Sequence, residues 1–119
     1  MALADSIGAH ESGGMTFRGE NCDELRGASG EWGCFQFLES TFRQWATQVL
    51  GYVPRMTYHN QRIVVATIVQ RWIEDGLSDK QILWKYNSGR ADKCISGTNK
   101  WGAKYDSCQY ANAVIALLP

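Results

Sequence analysis

A glutamate followed by a serine and two glycines, Glu11-Ser12-Gly13-Gly14, is the first group in this sequence that could do chemistry. Two later strings place polar side chains where a helical pattern stops: Gly33-Cys34-Phe35-Gln36 and Tyr86-Asn87-Ser88-Gly89. A carboxylic acid among amide and hydroxyl groups suits cleavage of a glycosidic bond. Such a bond breaks when an acid protonates the leaving oxygen while positive charge grows on the sugar ring. The acid must keep its proton near neutral pH, so its pKa must exceed the roughly 4.3 of a free glutamate. Glu11 falls in the last turn of an expected helix, where unpaired carbonyls disfavour a carboxylate. Burial under a bound sugar would push the same way. A lone glutamate near a helix end is most often a solvated surface residue. Glu11 differs because three separate strings agree. Glu20, Glu24, Glu31 and Glu39 lie in or near polar loop sequence without such company and read as solvated.

Helical periodicity must carry these strings, because strand-like alternation is scarce. Leu3, Ile7 and His10 stand at i, i+4 and i+7, which predicts a first helix ended by Gly13-Gly14. Glycine-rich polar sequence follows as far as Gly33. Phe42, Trp45, Ala46 and Val49 form the stripe of a second helix, with Ser40 as its cap and Gly51 as its stop. A third helix over 60–74 is apolar around most of its circumference and reads as central and mostly buried. Ser78-Asp79-Lys80-Gln81 is a capping-box pattern that opens a short fourth helix through Trp84. A cysteine-bracketed loop is expected over 90–101, then a last helix with Ala111, Val114, Ile115 and Leu118 on one face. The fold class is mainly α in a single domain over 1–119, with a small β-hairpin as an option in 20–37.

Composition narrows the partners. At 119 residues the chain can bury a core unaided. Formal net charge is zero with acids and bases interspersed, which argues against a nucleic-acid partner and against electrostatic membrane docking. Apolar runs stop well short of the roughly 20 residues of a membrane span. Cys22, Cys34, Cys94 and Cys108 form an even set suited to two disulfides. Zinc is disfavoured because no Cys-x-x-Cys pair occurs and His10 and His59 stand apart. Local pairing, Cys22 with Cys34 and Cys94 with Cys108, would close two short loops that each flank a string; crossed pairs and free thiols are the alternatives. Disulfides imply export, to the periplasm or the extracellular space. Met1 to Asp5 lacks the basic start and apolar run of a secretory signal, so the chain reads as excised from an exported protein.

The three strings resemble, in order, the Glu-Ser, Gly-Leu-Met-Gln and Ala-Tyr-Asn-x-Gly motifs of the soluble lytic transglycosylases, relatives of goose-type lysozyme. The resemblance runs from Glu11 to about Leu117. It implies a lysozyme-like helical domain with a glycan-binding cleft, a monomer that needs no cofactor or metal. Glu11 takes the place of the catalytic acid. Ser12 would hydrogen-bond the substrate beside it, although its hydroxyl could equally close the helix end. Gly33 and Gln36 match the outer places of the second motif: a glycine admits close backbone approach to a sugar, and a glutamine amide both donates and accepts. The family's Leu-Met is Cys34-Phe35 here, with Phe35 able to keep an apolar wall. Tyr86 and Asn87 match the third motif, with Lys85 in place of the usual small residue; alone they would read as a turn. Tyr110, in Tyr110-Ala111-Asn112-Ala113-Val114, matches the family's last motif, and Tyr105 is its rival. Of the five tryptophans, Trp45 and Trp72 lie on core stripes, while Trp32 and Trp101, in loops, are better cleft candidates.

No second carboxylate accompanies Glu11 within the other motifs. A retaining glycosidase needs one about 5 Å away and an inverting one about 6.5–9.5 Å away. The resemblance therefore implies a substrate-assisted cut of the bond between N-acetylmuramic acid and N-acetylglucosamine in peptidoglycan, ending in a 1,6-anhydro sugar. A hydrolase of the same fold acting on peptidoglycan or chitin is the second reading. A catalytically dead glycan-binding or assembly domain is the third, and retention of Glu11 counts against it.

Overall fold

Leu3, Ala4 and Ile7 are buried on one side of the first helix, α1 (Ala2–Glu11). His10, expected on that stripe, is exposed and meets Tyr110 edge-on at 5.1 Å between ring centres. The computed structural model, which describes residues 1–119, continues with α2 (Glu39–Leu50), α3 (Tyr58–Glu74), α4 (Asp79–Ser88) and α5 (Ser107–Ile115). Two short strands, β1 (Ser96–Thr98) and β2 (Lys104–Asp106), pair between α4 and α5. The fold is mainly α with one small antiparallel sheet.

The helices start and stop for local reasons. The Thr57 side chain accepts from the Asn60 N–H at the start of α3. At α4, Ser78 and Gln81 bond each other's backbone reciprocally, as the capping box predicts. The Asp106 carboxylate caps α5 through the Gln109 N–H. Gly51 and Gly89 end α2 and α4 in the left-handed region, φ 79° and 84°, which a side chain would strain. Ser40 is not the cap of α2: the helix already includes it, and Leu38 stands at the cap position without a side-chain bond.

The strands lie elsewhere than expected. Region 20–37 holds only single bridges, Arg26 to Trp32 and Trp32 to Phe37, and no ladder. Left-handed turns at Gly30 and Gly33, together with the Cys22–Cys34 bridge, fold it into tight loops too short for one. The segment expected as a loop is instead a hairpin, in register Gly97 opposite Tyr105. Its turn closes because the Asn99 side chain accepts from the Trp101 and Ala103 N–H groups, both at 3.0 Å.

Val64, Val65 and Val69 of α3 are fully buried, and the helix packs against α1, α2 and α4. Ile73, near its end, is 42% exposed, so α3 is less enclosed than its composition suggests. Both disulfides take the local pairing, Cys22–Cys34 and Cys94–Cys108, each with Cα atoms 5.0 Å apart. No helix is long and apolar enough to cross a membrane.

Candidate active site

Glu11, the last residue of α1, sits where two cavities meet. The smaller, about 230 Å³, is walled by Phe35, Phe37, Trp45 and Tyr86. The larger, about 710 Å³, is more polar and is bounded by the β1–β2 hairpin through Thr98, Trp101, Lys104 and Tyr105. Glu11, Glu31, Gln36 and Asn87 line both. Residues far apart in sequence thus converge on one carboxyl.

Burial raises the pKa of Glu11 from its ordinary 4.5 to about 7; the nearby Glu31 charge pushes the same way, and the Tyr110 hydroxyl opposes. The protein's own packing therefore supplies the desolvation that the sequence reading assigned to a bound sugar. Tyr86 and Tyr110 stack with rings 6.2 Å apart and 6° from parallel, and Trp45 meets Tyr86 edge-on. Burial, then the adjacent Glu11 charge, pushes the pKa of both tyrosines well up, so both remain hydroxyl donors. The Tyr110 hydroxyl lies beside the Glu11 carboxyl, short of full hydrogen-bond geometry, and has no other partner. The Asn87 side-chain oxygen is also buried and unpartnered. Asn87 lines both cavities, so its unmatched oxygen is a place for a ligand donor, whereas Tyr110 lines neither and its hydroxyl faces Glu11.

The Gly33–Gln36 string is shaped by a residue the sequence did not single out. Gln61 of α3 is completely buried; its side chain accepts from the Phe35 N–H at 3.1 Å and donates to the Trp32 carbonyl at 3.1 Å. A Cβ at Gly33 (φ 77°) would come within 2.8 Å of the Gln61 amide. The close approach that needs this glycine is thus to Gln61, and Gly33 lines neither cavity. Gln36 follows in the left-handed region, φ 51°, the one non-glycine residue there. Its amide donates to the Gly33 carbonyl at 2.7 Å, which holds the side chain along the cavity floor. Phe35 is 1% exposed and packs against Gly8, so it is a wall and not an open stacking surface.

Ser12 is buried outside both cavities; its hydroxyl donates to the Ala9 carbonyl and accepts from the Thr16 N–H, closing the helix end. Tyr105 lines the larger cavity with its ring against Gly97, and of the two tyrosines it is Tyr110 that acts on the Glu11 carboxyl. Trp101 is half exposed in the larger cavity. Trp45 packs against the core as expected and also walls the smaller cavity. Trp32 does not belong to this site: Arg26 covers its ring at 4.3 Å, and it faces a separate hollow beside Phe42 and Val53.

The main correction is Glu31. It is half-buried, lines both cavities and contacts the Gly27 position closely enough that no Cβ could fit there. Its carboxylate also accepts from the Ser29 N–H at 3.2 Å. No sequence pattern marks it, because the glycine-rich loop alone brings it to Glu11. No group of three or more metal-ligating side chains stands together. Comparison with protein-family models, curated proteins and solved structures finds no match for the chain.

Proposed function

We propose that this protein is a lysozyme-like lytic transglycosylase that cuts peptidoglycan between N-acetylmuramic acid and N-acetylglucosamine. The observation that carries the proposal is the Glu11 carboxyl, its pKa raised by burial to about 7 where two cavities meet. A glycan laid through both cavities as one cleft would present its scissile bond to Glu11. Glu11 gives its proton to the bridging oxygen as the C1–O4 bond breaks, and the substrate's N-acetyl oxygen steadies the cation. The Glu11 carboxylate then takes the C6 hydroxyl proton as O6 closes onto C1. No water is consumed. Gln36 and the unmatched Asn87 oxygen would hold the sugar's polar groups, and Tyr110 would orient the acid. Two disulfides suit an exported monomer working at the cell wall.

Glu31 supports a second reading, a hydrolase in which that carboxylate directs water at C1. The acceptor distinguishes the two. Digestion of purified peptidoglycan in oxygen-18 water should give muropeptides one water lighter than lysozyme products, without label or a reducing muramic end. Label at C1 in most products, lost on Glu31→Gln, would overturn the transglycosylase in favour of the hydrolase.

A further inference from the structure

Lys104 is the one cation lining either cavity around Glu11, and no carboxylate pairs with it. Its backbone is not free to drift. The hairpin that carries it is tied to α5 by the Cys94–Cys108 bridge. It is tied again at the Ser107 hydroxyl, completely buried, which accepts from the Ile95 N–H at 2.7 Å and donates to the Ile95 carbonyl at 3.1 Å. The Asn99 carboxamide locks the turn, and Thr98 stands opposite Lys104 across the ladder. Beside Lys104, Trp101 offers a half-exposed indole to the same cavity, with the Lys100 ammonium 4.6 Å from its ring centre.

A neutral sugar chain gives such a lysine nothing to pair with, and its ammonium would simply remain hydrated. An anionic substituent changes this. Glu11 and Glu31 line the same cavity, so a carboxylate on the glycan is repelled from their end and attracted to the hairpin. We infer that the β1–β2 hairpin is a recognition wall for a carboxylate carried by the glycan, with Lys104 as its counter-ion and Trp101 as the apolar surface beneath the sugar. The inference rests on the glycan-binding reading above and names what that site selects: strands bearing acidic substituents over neutral N-acetylglucosamine polymer. Two groups supply this chemistry, the lactyl carboxylate of muramic acid and the carboxylates of an attached stem peptide.

The test measures binding without turnover, in Glu11→Gln protein, by tryptophan fluorescence and calorimetry. Three probes separate the sources: a neutral N-acetylglucosamine hexamer, glycan strands stripped of peptide with free lactyl carboxylates, and stem-bearing strands. Adding Lys104→Gln should weaken binding of the acidic strands about three- to fivefold, the scale of one exposed charge pair. It should leave the hexamer within about twofold, and Lys104→Arg should restore most of the loss. The difference should shrink at high salt. Loss on stripped and stem-bearing strands alike assigns the lactyl group; loss on stem-bearing strands alone assigns the peptide. An equal loss on the neutral hexamer, or none on any probe, overturns the inference. If the wild-type protein binds as expected yet never cleaves, the enzyme reading fails and this one stands. If no probe binds, both fall.

Discussion

Replacing Glu11 by Gln should stabilise the protein while abolishing cleavage, and the size of the gain should depend on pH. Burial and the Glu31 charge raise the Glu11 pKa from 4.5 to about 7. Between those values the native state holds a proton that the unfolded chain has released, so stability falls as pH rises through that window. Each pKa unit is worth 1.36 kcal/mol, so the native state loses about 3 kcal/mol by pH 8 relative to acid. Glutamine has nearly the same shape as the protonated acid and stays neutral at every pH. Below about pH 4.5 the two proteins should match. Above about pH 7 the variant should be more stable by about 3 kcal/mol, roughly 10 °C in Tm for a domain of this size. Asp5, its pKa lowered by the Arg62 bond, and His10, its pKa lowered by burial, are common to both and cancel in the difference. Urea unfolding of both proteins from pH 4 to 8.5 gives the curve directly. A stability difference that does not change with pH would refute the raised pKa, and with it the physical basis for treating Glu11 as the acid.

The Tyr110 hydroxyl favours the Glu11 carboxylate, so Tyr110→Phe should move the alkaline limb of the kcat profile upward and cut turnover about tenfold. Tyr105→Phe should be mild by comparison; the reverse ranking in steady-state kinetics would reassign the tyrosines. Gln61→Leu strands the Phe35 N–H, whereas the Trp32 carbonyl keeps its bond from the Phe37 N–H, and should cost about 1–3 kcal/mol for the one buried group left unpaired. Chemical denaturation showing a loss under about 0.5 kcal/mol would mean the loop does not depend on Gln61. Removing Cys22–Cys34 or Cys94–Cys108 by paired serine substitution should each cost about 3 kcal/mol from loop-closure entropy. Thermal melts of the two double variants test this, and loss of the second bridge should also weaken acidic-glycan binding if the hairpin carries it.

Local patterns determined a good deal of this protein before any tertiary contact is considered. The stripe Phe42, Trp45, Ala46 and Val49, the Ser78–Gln81 capping box and the stop at Gly51 each specify a helix through neighbours within one or two turns. Glu11 stood out because Ser12, the Gly13-Gly14 pair and the two later strings agree with it. The even cysteine set predicted two bridges, and the structure forms them locally. What sequence could not reveal depends on who meets whom across the fold. Gln61 reads as one more polar residue on a helix until the Gly33 loop folds over it and leaves its amide the sole partner of the Phe35 N–H. The hairpin at Lys104 was hidden because strands of three residues show too little alternation, and their pairing depends on the Asn99 turn and on the bridge that closes their ends. Glu31 was misread as solvated because a loop's path has no period. Its approach to Glu11 is a product of packing, and so is a pKa near 7, since desolvation belongs to an assembled environment and not to a residue type.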